Sequence, residues 1–416
     1  MTQSNVTTKK KKTNSWAAIF GLGCIWFGTH VGGGFASGTQ TVSFFAAWGW
    51  MAVFLPVLSM LLCYAIFVTV VEAGENYKLK HGMMFWIMLY REKSKYLLPI
   101  YEASGILSGA ISIGTAIAGA ATLLEWVFGF NYYLCALIAA IIYLLFAIYG
   151  AHIISRISLV LSVLLVVCMI PLFIMILKQN WPTLAAVVSN KTFFLEAPRT
   201  NNYIYALWMA LKYGSFQAGM GVTIMTINQN APPEERVTGR KNIRKGILIG
   251  LIINVVLLVL NSMTVLSGMP AVLTSSLPVL EMAQGVPGAS AKTITVVYQI
   301  ILGAAFISTG VTLSNGQIRR WTATLKTEKL SPRRKQIIVG IAVMIISCLA
   351  AFTGLRTLVN KGYQALGVIG IFLTIIPTLV FGTMRNIQYR KKEAAGELDT
   401  IPETPITYMH YWKKQK

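Results

Sequence analysis

Charge is scarce in this chain, and acid is scarcer than base. Only 12% of the 416 residues are Asp, Glu, Lys or Arg, and 14 acidic side chains face 36 basic ones. So thin a polar complement excludes a large soluble enzyme. Cysteine is sparse as well: Cys24, Cys63, Cys135, Cys168 and Cys348 all fall inside apolar segments, without metal-ligand spacing. They read as small buried hydrophobes and imply neither a disulfide framework nor a zinc site. The four histidines, His30, His81, His152 and His410, are scattered, and within a span none has an acid or a cysteine beside it. With no nucleophile and base brought together, no catalytic residue is assigned and the chain does not read as an enzyme.

What fills the chain is hydrocarbon. The hydrophobic fraction is 55% and the mean hydropathy +0.62, and the apolar runs are mostly long enough to cross a bilayer. These are the marks of an all-α, multi-pass protein of the cell membrane. A net charge of +22 would suggest nucleic acid in a soluble protein, but here Lys and Arg gather in the loops between spans, as positive-inside topology requires. The partner implied is the lipid bilayer, not nucleic acid; for a protein partner there is no signal. Lys9 to Lys12 before Trp16 imitate a signal peptide. The apolar region that follows lacks a small-residue cleavage site and runs too long, so it reads as a retained first span.

That first span, Trp16 to about Trp48, holds the stretch Gly28-Thr29-His30-Val31-Gly32-Gly33-Gly34-Phe35-Ala36-Ser37-Gly38. Each glycine costs a helix interior about 1 kcal/mol against alanine, so the helix is expected to break here. In hydrocarbon a freed backbone N–H or C=O is tolerated only where it is buried in protein or lines a cavity. A break at mid-membrane therefore predicts a binding site. Span 6, about Tyr203 to Asn228, carries a second such stretch, Gly214-Ser215-Phe216-Gln217-Ala218-Gly219-Met220-Gly221.

Between and beyond these lie spans 2 to 5, ending near Leu177, and spans 7 to 10, ending near Met384. Met83 to Tyr90 is too short to cross and suits a helix lying in the interface. The density of Gly, Ala and Ser in span 3 places it against several neighbours. With the N terminus inside, only Lys178, Lys191, Arg199, Lys212, Lys292, Arg356 and Lys361 of the 36 basic residues fall outside or within a span. The expected organisation is a cytoplasmic tail (1–15), five spans (16–178), an external loop (179–202), five more spans (203–384) and a second cytoplasmic tail (385–416). An odd number of spans per half inverts the second half relative to the first. Inverted repeats with matching broken helices point to a secondary transporter.

The first motif, Gly28 to Gly38 followed by Phe44-Phe45, resembles the signature of YkvI-type bacterial membrane proteins, themselves similar to amino-acid transporters of the LeuT fold. The chain departs from that pattern at Thr39-Gln40, where Arg-Glu is expected, and so lacks a charge pair that could act in gating. The resemblance implies a 5+5 inverted repeat of about ten helices, the first and sixth broken, both termini cytoplasmic. It implies a Na⁺ ion between spans 1 and 8, held by the carbonyls of Gly28, Val31 and Ala305 and the hydroxyls of Ser308 and Thr309. Those last three share one helical face; the plain alternative is that the hydroxyls bond their own i−4 carbonyls. No other cofactor is implied.

The resemblance also implies a solute pocket at the two breaks. Half-helices beginning after Gly34 and Gly221 would turn their N-terminal ends inward, and the N–H groups of Gly32, Gly33 and Gly34 would receive a carboxylate. Ser215, Phe216, Gln217, Gly219 and Met220 would line the same cavity; ordinary helix packing is the plain account of the Phe and the Met. Lys212 is a candidate partner for a substrate carboxylate or for Glu125, or a snorkelling side chain. His30 is a candidate proton-coupling group or a buried histidine satisfied by its neighbours. Glu72, Glu75 and Glu102, at inner span ends beside basic loops, are expected to form salt bridges. The function expected is alternating-access transport of a small amino acid or related zwitterion, coupled to Na⁺ or, alternatively, to H⁺. The rival is a nutrient-sensing membrane receptor of the same fold, like the membrane subunits of germinant receptors, that binds without moving its ligand.

Overall fold

The computed structural model describes residues 15–198, 200–325 and 330–398. Most of both expected tails, with Lys9 to Lys12 and His410, and Arg199 of the expected loop therefore lie outside the described residues.

Among the described residues eight helical stretches are long and apolar enough to span a bilayer. Spans 1 and 6 are not among them because neither is one helix. The first is divided into α1 (Trp16–His30), α2 (Gly33–Ala36) and α3 (Thr39–Phe44), followed by a 3₁₀ turn over Ala46–Val53. The sixth is divided into α9 (Asn202–Ala218) and α10 (Met220–Asn230). Counting these two, ten spans cross, as expected, with the interruptions in the first and sixth.

Between them run α4 (Leu55–Asn76), the short α5 (Gly82–Tyr90), α6 (Ser94–Phe128), α7 (Tyr132–Leu145) and α8 (Ala151–Ser189). After α10 come α11 (Arg240–Ser267), the short α12 (Pro278–Gln284), α13 (Ala289–Thr324) and α14 (Pro332–Ala351). The tenth span links α15 (Leu355–Thr357), α16 (Gln364–Gly370) and α17 (Thr383–Ala395) through three π-helical turns. Outward stripes such as Leu134, Leu137, Ile138, Ile141 and Leu145 on α7, and Ile338, Ile341, Ile345 and Leu349 on α14, stay exposed. They recur every three or four residues, which presents one apolar face per helix to hydrocarbon. The chain is an integral membrane protein.

Glycine lets the helices meet backbone to backbone. A Cβ on Gly23 of α1 would lie 2.9 Å from Gly250 N, and one on Gly246 2.9 Å from Ile19 O, so α1 and α11 are in direct contact. On α6 a Cβ at Gly114 would meet Ser347 O of α14 at 2.9 Å, and at Gly119 the ring of Phe306 of α13 at 2.1 Å. Span 3 is therefore wedged between two others, as its small residues imply.

Three boundaries differ from expectation. The stretch expected as external loop from residue 179 begins as helix, because α8 continues to Ser189 past a kink at Asn180 that accommodates Pro182, burying Leu184 and Val187. The last span runs beyond Met384 to Ala395, where Asn386 donates to Thr69 O (2.9 Å) and Tyr77 donates to Arg385 O (2.8 Å). Finally, α5, expected to lie on the interface, is packed into the protein: Phe85 to Leu89 are all buried, and the rings of Trp86 and Tyr101 lie 4.1 Å apart at 40°. Glu72 and Glu102 form the expected salt bridges, and Glu75 is held by a backbone N–H. Glu72 meets Arg390 and Arg240, Glu102 meets Arg320 at 2.7 Å, and Glu75 accepts from Gly239 N–H at 2.7 Å.

Candidate functional site

At the first break Val31 (φ −84°, ψ 106°) and Gly32 (φ −138°, ψ −176°) are extended. Val31 N–H closes the last turn of α1 on Phe27 O (2.9 Å), and the next N–H to rejoin the ladder is that of Ala36, on Gly32 O (3.0 Å). The N–H groups of Gly32, Gly33 and Gly34 and the carbonyls from Gly28 to Val31 therefore lie in the gap. The piece after it begins at Gly33, two residues before the expected start.

Extended backbone suits any residue, so what demands glycine here is space. A Cβ on Gly32 would sit 3.1 Å from Thr309 Oγ1, on Gly33 2.4 Å from Phe306 Cδ1, and on Gly34 2.7 Å from Gln40 Nε2. Three neighbours on two elements each press on one glycine. Gly38 differs: its φ of +82° lies in the left-handed region, which turns the chain from α2 into α3.

The second interruption is slighter. Gly219 keeps helical angles (φ −58°, ψ −25°), and α10 starts at once with Met220 rather than after Gly221. Gly214 and Gly221 are packing residues, their absent Cβ atoms 3.0 Å from Ser59 O and 2.8 Å from Phe67. No comparable gap opens, so this span offers the site side chains rather than backbone.

A cavity of about 280 Å³ adjoins the first break. It is lined by Gly28, His30, Val31, Gly32 and Gly34 from span 1, by Phe216, Gln217 and Met220 from span 6, and by Ala305, Ser308 and Thr309 from α13. Among the described residues its lining has no Asp, Glu, Lys, Arg or Cys. Five expected site residues lie off it, Glu125 among them. Gly33 faces Phe306, Ser215 packs on Gly370 of α16 (2.7 Å to the Cβ position), Gly219 is exposed, and Lys212 points elsewhere.

On α13, Ser308 is buried, and its Oγ has no hydrogen-bond partner. Elsewhere on α13, Thr295 and Ser314 bond their i−4 carbonyls at 2.8 and 2.6 Å. Ser308 does not use that local solution. The oxygens that line the cavity here are neutral, the kind that suits a cation of low charge density.

His30 is held at both ring nitrogens, by Asn254 Oδ1 at 2.6 Å and Tyr213 Oη at 2.9 Å. Asn254 Nδ2 donates to Gly250 O (2.8 Å), which turns Oδ1 toward His30 and makes Nδ1 the donor. His30 thus ties α1 to α11 and α9. Lys212 Nζ donates to Gln364 Oε1 (2.8 Å) beside the rings of Tyr205 and Trp208. It is buried and does not snorkel; nor does it pair with Glu125, which is exposed near the end of α6.

Sequence reasoning missed Gln40, Ser112, Thr312 and Tyr363, which also line the cavity. Tyr363 stacks on Phe216 at 4.2 Å and 23°. Gln40 lay within the motif region; the others come from spans 3, 8 and 10 with no local pattern to single them out. A second cavity of about 380 Å³, bordered by Ser43, Trp48, Tyr205 and Asn360, shares no lining residue with the first. Helix α3 divides them, with Gln40 toward one and Ser43 toward the other. Ser43 bonds Asn360, and Thr39 donates to Ser276 O (2.6 Å), which fixes α3 in place.

No protein-family model matches the chain, and no curated protein matches it. Solved structures do. The chain is similar to MhsT in complex with L-phenylalanine (15% identity, TM-score 0.59, covering 91% of this chain and 99% of that one). It is similar also to a manganese transporter from Eremococcus coleocola (13%, TM-score 0.58, 93% and 88%) and to inward-facing Mhp1 (12%, TM-score 0.55, 92% and 93%). At these identities the likeness establishes the fold, and the fold is that of the LeuT-type transporters.

Proposed function

We propose that this chain is a secondary active transporter of a net-neutral amino acid or related zwitterion, working by alternating access. One observation carries the reading: unpartnered backbone at the Val31–Gly32 gap lines a cavity that α3 separates from a second cavity on the far side. A protein that only senses its ligand has no need of two cavities on opposite sides of one short helix. That favours transport over the receptor reading.

The lining supports the solute class. Manganese is cargo for one structural neighbour, but a hard divalent cation seeks carboxylates, and the described lining has none. Here the described lining offers neutral groups and aromatic faces. The N–H groups of Gly32 and Gly34, which line the cavity, would meet a carboxylate and Phe216 with Tyr363 an apolar side chain. The coupling ion we assign is Na⁺, held by Gly28, Val31, Ala305, Ser308 and Thr309; the unpartnered Ser308 hydroxyl is the observation that supports it. His30, engaged at both nitrogens, suits a strut better than a proton carrier. The YkvI-type kinship rests on the first motif, and cytoplasmic termini rest on the distribution of Lys and Arg. The test is uptake of a labelled amino-acid panel into proteoliposomes with and without a Na⁺ gradient. Gradient-dependent uptake of a neutral amino acid is expected; binding without uptake of any solute would instead favour the receptor.

A further inference from the structure

We propose that Gln40 receives the solute's nitrogen, its Oε1 accepting a hydrogen bond from the amine, and that this contact selects amino acids over the corresponding acids. The inference rests on the transport reading for the general class of solute and adds the group that discriminates within it.

Gln40 is 7% exposed, on α3, and lines the cavity. Its Oε1 is buried without a hydrogen-bond partner. A buried acceptor left unmet is costly, and is retained where a ligand supplies the missing donor. The amide is not loosely placed: its Nε2 occupies the space a side chain at residue 34 would take, 2.7 Å from that Cβ position. Gly34 thus lets the amide reach the edge of the backbone gap. There the carboxylate of a zwitterion would lie on the glycine N–H groups, and its ammonium, on the adjoining Cα, would lie two bonds from the carboxylate carbon. With no carboxylate in the described lining, an ammonium can be met only by neutral oxygens. Of the two lining side-chain oxygens that are buried without a partner, Ser308 Oγ belongs to the ion site proposed above, which leaves the Gln40 amide oxygen for the ammonium, beside the gap carbonyls. Hydrogen bonds to a charged donor are about twice as strong as neutral ones, so the contact suffices to discriminate.

The experiment uses the purified full-length protein and pairs of probes, each neutral L-amino acid beside its desamino acid, with affinity read by calorimetry and uptake measured in proteoliposomes. Wild type is expected to prefer the amino acid. Gln40→Leu weakens amino-acid binding on the order of 10-fold and narrows the gap to the desamino acid, while Gln40→Glu, which keeps an acceptor, preserves the preference. Gly34→Ala, which pushes the amide aside, behaves like Gln40→Leu. A folded Gln40→Leu protein that binds and moves the amino acid as wild type does overturns the inference but leaves the transport reading standing. Wild type that binds the desamino acid as tightly as the amino acid overturns it too. Wild type that takes up none of the panel overturns the transport reading, and the inference with it.

Discussion

Spans 1 and 6 each carry a cluster of glycines, and the two clusters serve opposite purposes. In span 1 the glycines clear room for Thr309, Phe306 and Gln40, and the backbone itself opens at Val31 and Gly32. In span 6, Gly214 and Gly221 admit neighbours from α4, and Gly219 interrupts the helix without leaving helical angles. The same residue marks a gap in one place and a close contact in the other. Span 1 therefore brings main-chain groups to the cavity, and span 6 brings Phe216, Gln217 and Met220.

The comparison is broken most severely at Gly33. In Gly33→Ala the new Cβ would stand 2.4–2.8 Å from three atoms of the Phe306 ring, and neither α2 nor α13 can yield cheaply. Uptake should be lost and stability lowered by about 1–3 kcal/mol, read as a fall in the thermal unfolding midpoint. The next effect is specific to the ion. Ser308→Ala with Thr309→Ala should abolish Na⁺ dependence of uptake while the unfolding midpoint holds or rises, because a buried hydroxyl without a partner is removed. If dependence on Na⁺ survives, the ion lies elsewhere.

The strut at His30 should give a smaller, purely structural loss. Asn254→Leu strands a buried ring N–H and should cost about 1–3 kcal/mol. His30→Leu combined with Asn254→Leu should cost less than the two single changes added, as expected for partners in one contact. A His30→Gln protein that transports with an unchanged pH profile agrees with the strut; a flattened profile would return His30 to proton coupling. Smallest of all is Gly219→Ala. Its Cβ meets nothing within 4 Å at φ −58°, so uptake should persist and helix propensity should add up to about 1 kcal/mol.

Much of this arrangement was legible in the residues. Long apolar runs and glycine clusters located the ten spans and the two interruptions, because hydropathy and backbone freedom are local properties. The i, i+3, i+4 set Ala305, Ser308 and Thr309 was legible for the same reason, and its members do line one cavity. What was not legible depends on partners distant in sequence. The expected pairing of Lys212 with Glu125 fails because α16 brings Gln364 to the lysine instead. Helix α5 looked interfacial by length and flanking charge, yet α6 and α10 bury it. Tyr363 enters the site from a π turn in span 10, where no motif announces it. The cause of the triple glycine was also misread from composition alone. Weak helix propensity predicted the break, whereas the contacts of Thr309, Phe306 and Gln40 make alanine unacceptable there.

The central claim is that main-chain groups opened in span 1 grip the solute while span 6 stays wound. Amide hydrogen exchange of the purified protein, with and without the amino acid it transports, tests this most directly. The account predicts that adding the solute slows exchange across Gly32 to Phe35 and leaves Gly214 to Gly221 nearly unchanged. Protection confined to span 6, or no change at Gly32 to Phe35 with a solute shown to bind, would contradict it.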